Sequence, residues 1–361
     1  MPQLTRLGRA LPALALVVGS ECAHPRTEPG VLAPDDGGVV ESRWENGHVF
    51  VRLRVGDQPI WLLLDSGASN TLVRPGVLAA IGARPLGDAL MDGTVRHFPV
   101  RAFSGATLRA DTVSIVVPTL YELPRGVPAL DGVRGVDGII GFELFSQARI
   151  VLDPQQHTVR VLALNDRETR ARADLGFHVR RRVPVVDAEL RFADGTYVRA
   201  PFIVDLGSNA DIHLARSFAV THELQSRLTD AGETYQAGLW AVERGAEGHA
   251  VALKIGHEIV ATPNVFIGGD SVSSFAEPDV AGTIGLGVLQ HFRLRFDYGS
   301  GGMSLRRINT VALRDSTGRA CLTKAPRRPV VLRGGPTSRS NGGMVTISTD
   351  AGTSDSACPT P

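Results

Sequence analysis

The second half of this 361-residue chain repeats the first, and that repetition limits what it can fold into more than anything else in the sequence. Asp137-Gly138-Ile139-Ile140-Gly141-Phe142 falls on Ala281-Gly282-Thr283-Ile284-Gly285-Leu286 at an offset of 144, and the same offset carries Arg149 onto Arg293 and Asp153 onto Asp297. Upstream, Leu64-Asp65-Ser66-Gly67-Ala68 falls on Val204-Asp205-Leu206-Gly207-Ser208 at an offset of 140. Asp65 lies 76 positions before Gly141 and Asp205 lies 80 before Gly285, so the second copy carries about four extra loop residues. Self-similarity on this scale means one structural unit built twice. A chain of this length also exceeds the usual size of a single domain.

The unit is a β-structure. Val49, Val51, Leu53 and Val55 alternate with polar neighbours, Gly56-Asp57 supplies a turn, and Ile60 opens a continuous apolar run to Leu64. This pattern predicts a hairpin whose second strand is buried. Further strands are expected at 113–117, 150–152, 159–162, 185–192, 197–204, 250–255, 264–267 and 292–296, with helix at 215–228 and single turns at 75–81 and 142–147. The chain divides into an export segment (1–22), a Pro- and Gly-rich spacer (23–43), a first lobe (44–165), a second lobe (166–308) and a Gly/Ser/Thr-rich tail (309–361).

Each lobe delivers one aspartate, Asp65 or Asp205, at the end of an apolar strand, with a glycine two residues on. Without a Cβ, Gly67 and Gly207 let backbone come close to a carboxylate. Two such turns meeting across a pseudo-twofold axis would hold two carboxyls close enough to share one proton. One member could then take a proton from water while the other polarises a peptide carbonyl, with no metal or other cofactor.

Leu63-Leu64-Asp65-Ser66-Gly67-Ala68-Ser69 resembles the Asp-Thr/Ser-Gly motif of the pepsin-like and retropepsin-like aspartic proteases, and Ile139-Ile140-Gly141 and Thr283-Ile284-Gly285 resemble the two-hydrophobic-plus-glycine motif that packs beneath each catalytic loop there. The resemblance runs from about 44 to 308. It implies a bacterial, two-lobed, single-chain acid-protease fold with a cleft between β-barrel-like lobes. It further implies endopeptidase activity on polypeptide substrate as a monomer, Asp65 and Asp205 as catalytic residues, and loop support from Ser66, Gly67, Ser69, Gly207 and Ser208. Asp205-Leu206-Gly207-Ser208 departs from the motif, with Leu206 where the family has a hydroxyl that links the two loops. Ser66 could supply that linkage from one side only. A peptide-binding protein without turnover, or an envelope scaffold, therefore stands beside the peptidase reading. In the family a β-hairpin closes over substrate; the Asp92-Gly93 turn and the stretch 238–245, with Trp240, are the positional candidates.

Charge points to no nucleic acid, because 38 basic side chains meet 37 acidic ones. Arg180-Arg181-Arg182 reads as a solvated face. Asp153 and Asp297 read as structural turn residues. Neither the ten histidines nor His222-Glu223 has metal-ligand spacing. Arg6 and Arg9 precede an apolar run at 10–19, the shape of a secretory signal and shorter than the ~20 residues that span a bilayer. Export to a periplasm or cell envelope is the expectation. Cys22 sits where a lipid anchor would tether the chain to a membrane, or leaves with a cleaved signal, and Cys321 and Cys358 could close a loop in the tail.

Overall fold

The computed structural model describes residues 38–92, 97–130, 133–164, 173–238, 242–268 and 280–308, and the backbone of two short strands at 313–314 and 320–321. The first lobe comprises β1 (Val39–Val40), β2 (Ser42–Glu45), β3 (His48–Val55), β4 (Gln58–Leu64), β5 (Leu72–Val73), α1 (Pro75–Ala80), β6 (Pro85–Asp92), β7 (His97–Ala110), β8 (Val113–Glu122), β9 (Gly138–Ile140), α2 (Phe142–Gln147), β10 (Ala148–Asp153) and β11 (Thr158–Ala163). The second comprises β12 (Leu175–Gly176), β13 (His178–Arg180), β14 (Val183–Arg191), β15 (Tyr197–Asp205), β16 (Ile212–Leu214), α3 (Arg216–Thr221), β17 (Thr229–Ala237), β18 (Val242–His249), β19 (Ala252–Ile255), β20 (Glu258–Ala261), β21 (Asn264–Ile267), β22 (Gly282–Gly285), α4 (Leu286–Leu289), β23 (Phe292–Asp297) and β24 (Gly302–Arg307).

Each lobe has its own sheet. The first runs β2-β3-β4-β9-β5-β8-β7-β6, with β3 also pairing β7, and the second runs β17-β18-β21-β16-β22-β15-β14-β19-β20 with β13 added to β14. The repeated sequence makes repeated topology: β4 pairs parallel with β9 while β5 pairs antiparallel with it, and β15, β22 and β16 do the same. A parallel pair needs cover on both faces, which is why Leu62 to Leu64 and Ile139-Ile140 are apolar without alternation and fully buried. On β3 the alternation survives, with Val51, Leu53 and Val55 inside and Arg52 and Arg54 exposed.

A third sheet joins the lobes in the order β1-β11-β10-β23-β24-β12. At its centre Val151 stands opposite Arg295, flanked by Ile150 opposite Phe296 and Leu152 opposite Leu294. Val151 and Arg295 are themselves separated by the repeat offset, so the pseudo-twofold axis passes between them. The repeat-related ion pairs cross the same axis: Arg149 Nε meets Asp297 Oδ2 at 2.8 Å and Arg293 Nε meets Asp153 Oδ2 at 3.6 Å. Asp153 and Asp297 do hold their turns, accepting from the Gln155 and Ser300 N–H groups. The cross-lobe pairing is a second role that a turn reading omits. Phe145 packs edge-on against Phe296 beneath this sheet at 5.3 Å, and one continuous buried cluster spans both lobes.

Three expectations need correction. The helix expected at 215–228 is α3 followed by a 3-10 turn at Gln225–Arg227, because Glu223 takes a left-handed conformation (φ 52°) that helical backbone excludes. Leu224 and Leu228 are still buried, so the apolar spacing was real and the continuous helix was not. The spacer assigned to 23–43 includes β1, whose Val40 is buried and pairs with Val159. Arg182 is more than a solvated charge, for its guanidinium, with the side chain 40% exposed, pairs with the buried Glu143. In the tail, Leu313–Arg314 pairs with Ala320–Cys321; Cys22, Cys358 and the export segment lie outside the described residues.

Candidate active site

The two aspartates sit where strand order brings parallel neighbours together. Asp65 follows β4 and its N–H donates to the Ile140 carbonyl (3.0 Å), while Asp205 ends β15 opposite Gly285. Each chain then turns sharply, the Ala68 N–H reaching the Asp65 carbonyl and the Ser208 N–H the Asp205 carbonyl, both at 3.3 Å. The turn is held from below by the hydrophobic-glycine segment: the Phe142 N–H donates to the Ala68 carbonyl (3.0 Å) and the Leu286 N–H to the Ser208 carbonyl (2.6 Å).

Across the axis, each carboxyl lies on the opposite lobe's glycine. A Cβ on Gly67 would stand 2.6 Å from Asp205 Cγ, and a Cβ on Gly207 would overlap the Asp65 carboxyl. Only glycine permits this approach. The two carboxyls are within hydrogen-bonding reach of each other, an arrangement that requires a shared proton. Asp65 Oδ1 is buried with no protein donor, consistent with that need. Burial, then the Asp205 charge, then the bond between them hold the Asp65 carboxyl well above the usual carboxylate range. Burial raises Asp205 too, but its bond to Asp65 and backbone N–H groups oppose the shift, with the Gly207 N–H donating to Oδ1 at 2.9 Å. The Gly67 and Ala68 N–H groups oppose the rise at Asp65 in the same way, and the pair titrates as a unit.

Ser66 ties the loops together. Its hydroxyl donates to the Val204 carbonyl (2.7 Å) and accepts from the Leu206 N–H (3.0 Å), all fully buried. Leu206 has no hydroxyl to return the linkage, and its side chain joins the apolar core. The Ser69 hydroxyl donates to the Arg181 carbonyl (2.8 Å) and the Ser208 hydroxyl accepts from the Ala210 N–H (3.4 Å), while the Ser208 N–H donates to the Asp205 carboxyl. The two expected hairpins form as β6–β7 and β17–β18, their tips, with Trp240, lying outside the described residues. Among the described residues no group of three or more His, Cys, Asp or Glu gathers to hold a metal ion.

The fold is mainly β, one sheet in each half and a third sheet shared between them. No protein-family model matches the sequence and no curated protein matches it. Among solved structures the chain is similar to an aspartic proteinase from Irpex lacteus, at 14% identity and a TM-score of 0.47, over 78% of this chain and 100% of that one.

Two nearby groups had no signal in the sequence. His48, the first residue of β3, is buried, and its ring N–H donates to the Gly207 carbonyl while burial lowers its pKa to about 4. Tyr298 packs against Phe142, Phe145 and Phe177, with ring centroids 5.0–6.2 Å apart. Burial and the Asp65 charge push its hydroxyl's pKa up. A lone His after Asn46-Gly47 and a Tyr after a strand carry no periodicity, so only the folded arrangement reveals them.

Proposed function

We propose that the protein is an aspartic-type endopeptidase, hydrolysing peptide bonds with a water activated between Asp65 and Asp205. The observation that carries this reading is the crossed contact in which each carboxyl rests on the other lobe's glycine, close enough for the pair to share a proton. Asp205, whose Oδ1 accepts from the Gly207 N–H, serves as the base and takes a proton from water as it attacks the scissile carbonyl carbon. Asp65 donates its proton to the carbonyl oxygen, giving a neutral gem-diol. Collapse of that intermediate breaks the C–N bond, with Asp205 protonating the leaving amine and Asp65 recovering a proton from the gem-diol hydroxyl. The β6–β7 hairpin is the proposed lid over an extended polypeptide. On this reading the enzyme works as a monomer after export, with Cys22 as its tether where the signal is lipidated.

Leu206 favours a second reading, a protein that binds peptides without turnover, because one hydroxyl linkage is missing from the support of the dyad. The two readings separate by incubating the purified chain with a denatured protein from pH 3 to 8 beside Asp65→Asn and Asp205→Asn. The peptidase reading expects cleavage by the wild type alone. Peptide binding with no products at any pH would replace it with the second.

A further inference from the structure

Each lobe opens with a hairpin whose turn docks on the other lobe's aspartate loop. In the first lobe the turn Asn46-Gly47 joins β2 to β3, and a Cβ on Gly47 would stand 2.9 Å from Asn209 Cβ. The next residue, His48, reaches the Gly207 carbonyl. In the second lobe the turn Arg181-Arg182 joins β13 to β14 and meets Ser69 and Asn70, and the repeat offset of 140 carries Ser69 onto Asn209. Matching turns therefore grip matching loops.

Chemically the two turns differ. Asn46 and Gly47, with φ of 51° and 73°, suit a left-handed turn, whereas Arg181 and Arg182 hold φ of 46° and 70° with full side chains. Backbone strain of this kind persists only where surroundings enforce it, and it gathers at functional sites. What enforces it is cross-lobe contact. The Arg181 carbonyl accepts from the Ser69 hydroxyl (2.8 Å). Arg182 Nη1 donates to Asn70 Oδ1 (2.8 Å), and its Nη2 pairs with Glu143 Oε1 at 2.6 Å. The guanidinium also lies 4.5 Å from the centroid of the Phe142 ring. Glu143 is almost fully buried, and its second oxygen accepts from the Thr71 hydroxyl (2.8 Å). Asn70 and Thr71 belong to the loop that begins at Asp65, and Glu143 and Phe142 to the segment holding that loop from below.

Ser66 fixes the second lobe's loop to the first, and Leu206 cannot act in the reverse direction. We propose that Arg182 is a positioning residue that supplies the reverse link, fastening the Asp65 loop to the second lobe through Asn70 and Glu143. This rests on the peptidase reading of the same site.

The test uses the full chain with Arg182→Gln, Arg182→Lys and Glu143→Gln, read by kcat, KM, the pH profile and the carboxyl titration of Asp65 and Asp205 by 13C NMR. Arg182→Gln is expected to lower kcat by between about ten- and a hundredfold, the scale of a misplaced catalytic group, with KM within about twofold. It should also shift the pH profile. Arg182→Lys should recover part of the loss, since an ammonium can pair with Glu143 but not bridge to Asn70 in the same geometry. An Arg182→Gln enzyme with wild-type kcat and pH profile overturns the proposal. So does one that loses activity only in proportion to unfolding, with the profile unmoved. Should that variant fail to fold, Glu143→Gln is read by the same criteria. A wild type that cleaves nothing ends the peptidase reading alone, and positioning is then judged by the titration: a shifted dyad in Arg182→Gln supports it and an unshifted one overturns it.

Discussion

Ser66→Ala removes one oxygen atom and, with it, both ends of the bridge between the loops. The hydroxyl makes two bonds, 2.7 Å to the Val204 carbonyl and 3.0 Å from the Leu206 N–H, and no part of Ser66 is exposed. Each bond contributes about 0.5–1.5 kcal/mol net, and stranding buried backbone partners costs more than losing the bonds symmetrically. The expected destabilisation is about 2–4 kcal/mol. At about 2–4 °C per kcal/mol for chains larger than 150 residues, Tm should fall by roughly 5–15 °C. Urea unfolding gives the free energy and calorimetry the Tm, with Ser66→Thr, which keeps the hydroxyl, expected close to wild type. Loss of kcat should exceed what the unfolded fraction explains, because Asp65 and Asp205 flank the bridge. A change below about 0.5 kcal/mol would show that packing of the apolar strands alone holds the loops, and the reasoning from the bridge would be wrong.

Gly207→Ala should fold yet lose at least about a hundredfold in kcat, because the new Cβ displaces the Asp65 carboxyl; a fully active variant would contradict the crossed packing. Asp65→Asn should be more stable than wild type at pH 7, since the folded-state pKa of Asp65 is raised and its charged form is disfavoured there. That advantage should vanish by pH 3, where the carboxyl is protonated folded or unfolded, and melting curves at both pH values check it. His48 contributes the opposite slope: with its pKa lowered to about 4, the unfolded chain binds the proton first. Stability is full above about pH 6.5 and falls by about 3 kcal/mol as pH drops to 4. His48→Gln keeps an N–H for Gly207 and should make that acid limb shallower in urea titrations, the remaining slope coming from His213, whose pKa burial also lowers to about 4; an unchanged limb would refute the assignment. Leu206→Thr should raise kcat by returning the second bridge while losing about 1–3 kcal/mol of stability from the smaller buried side chain, and an enzyme no faster than wild type would argue against a deficient linkage.

Much of this architecture was legible because duplication lets one half check the other. Two aspartates at matched positions, each ending an apolar run, located strands that the structure places beside parallel partners. What stayed hidden depends on contacts between distant segments. Edge strand β17 reads TDAGETYQA, without a large aliphatic side chain and mostly exposed, and offers no alternation to find. Glu223 ended a helix through its backbone conformation while the apolar spacing continued past it. Arg182 looked like one of three surface charges because nothing in its neighbourhood along the chain announces Glu143, which lies 39 positions away and is buried for reasons of its own. Spacing rules report what a residue's neighbours along the chain demand, whereas Arg182 answers to the opposite lobe.

The mismatch between Ser66 and Leu206 also says something about genetic freedom. Were the molecule assembled from two identical polypeptides, a codon change at one position would alter both loops at once, and no oxygen would remain to join them. Encoding the halves separately lets selection discard one hydroxyl and keep the other. Divergence elsewhere can proceed in the same way, so that two turns of like origin come to hold different residues, Asn46-Gly47 in one half and Arg181-Arg182 in the other.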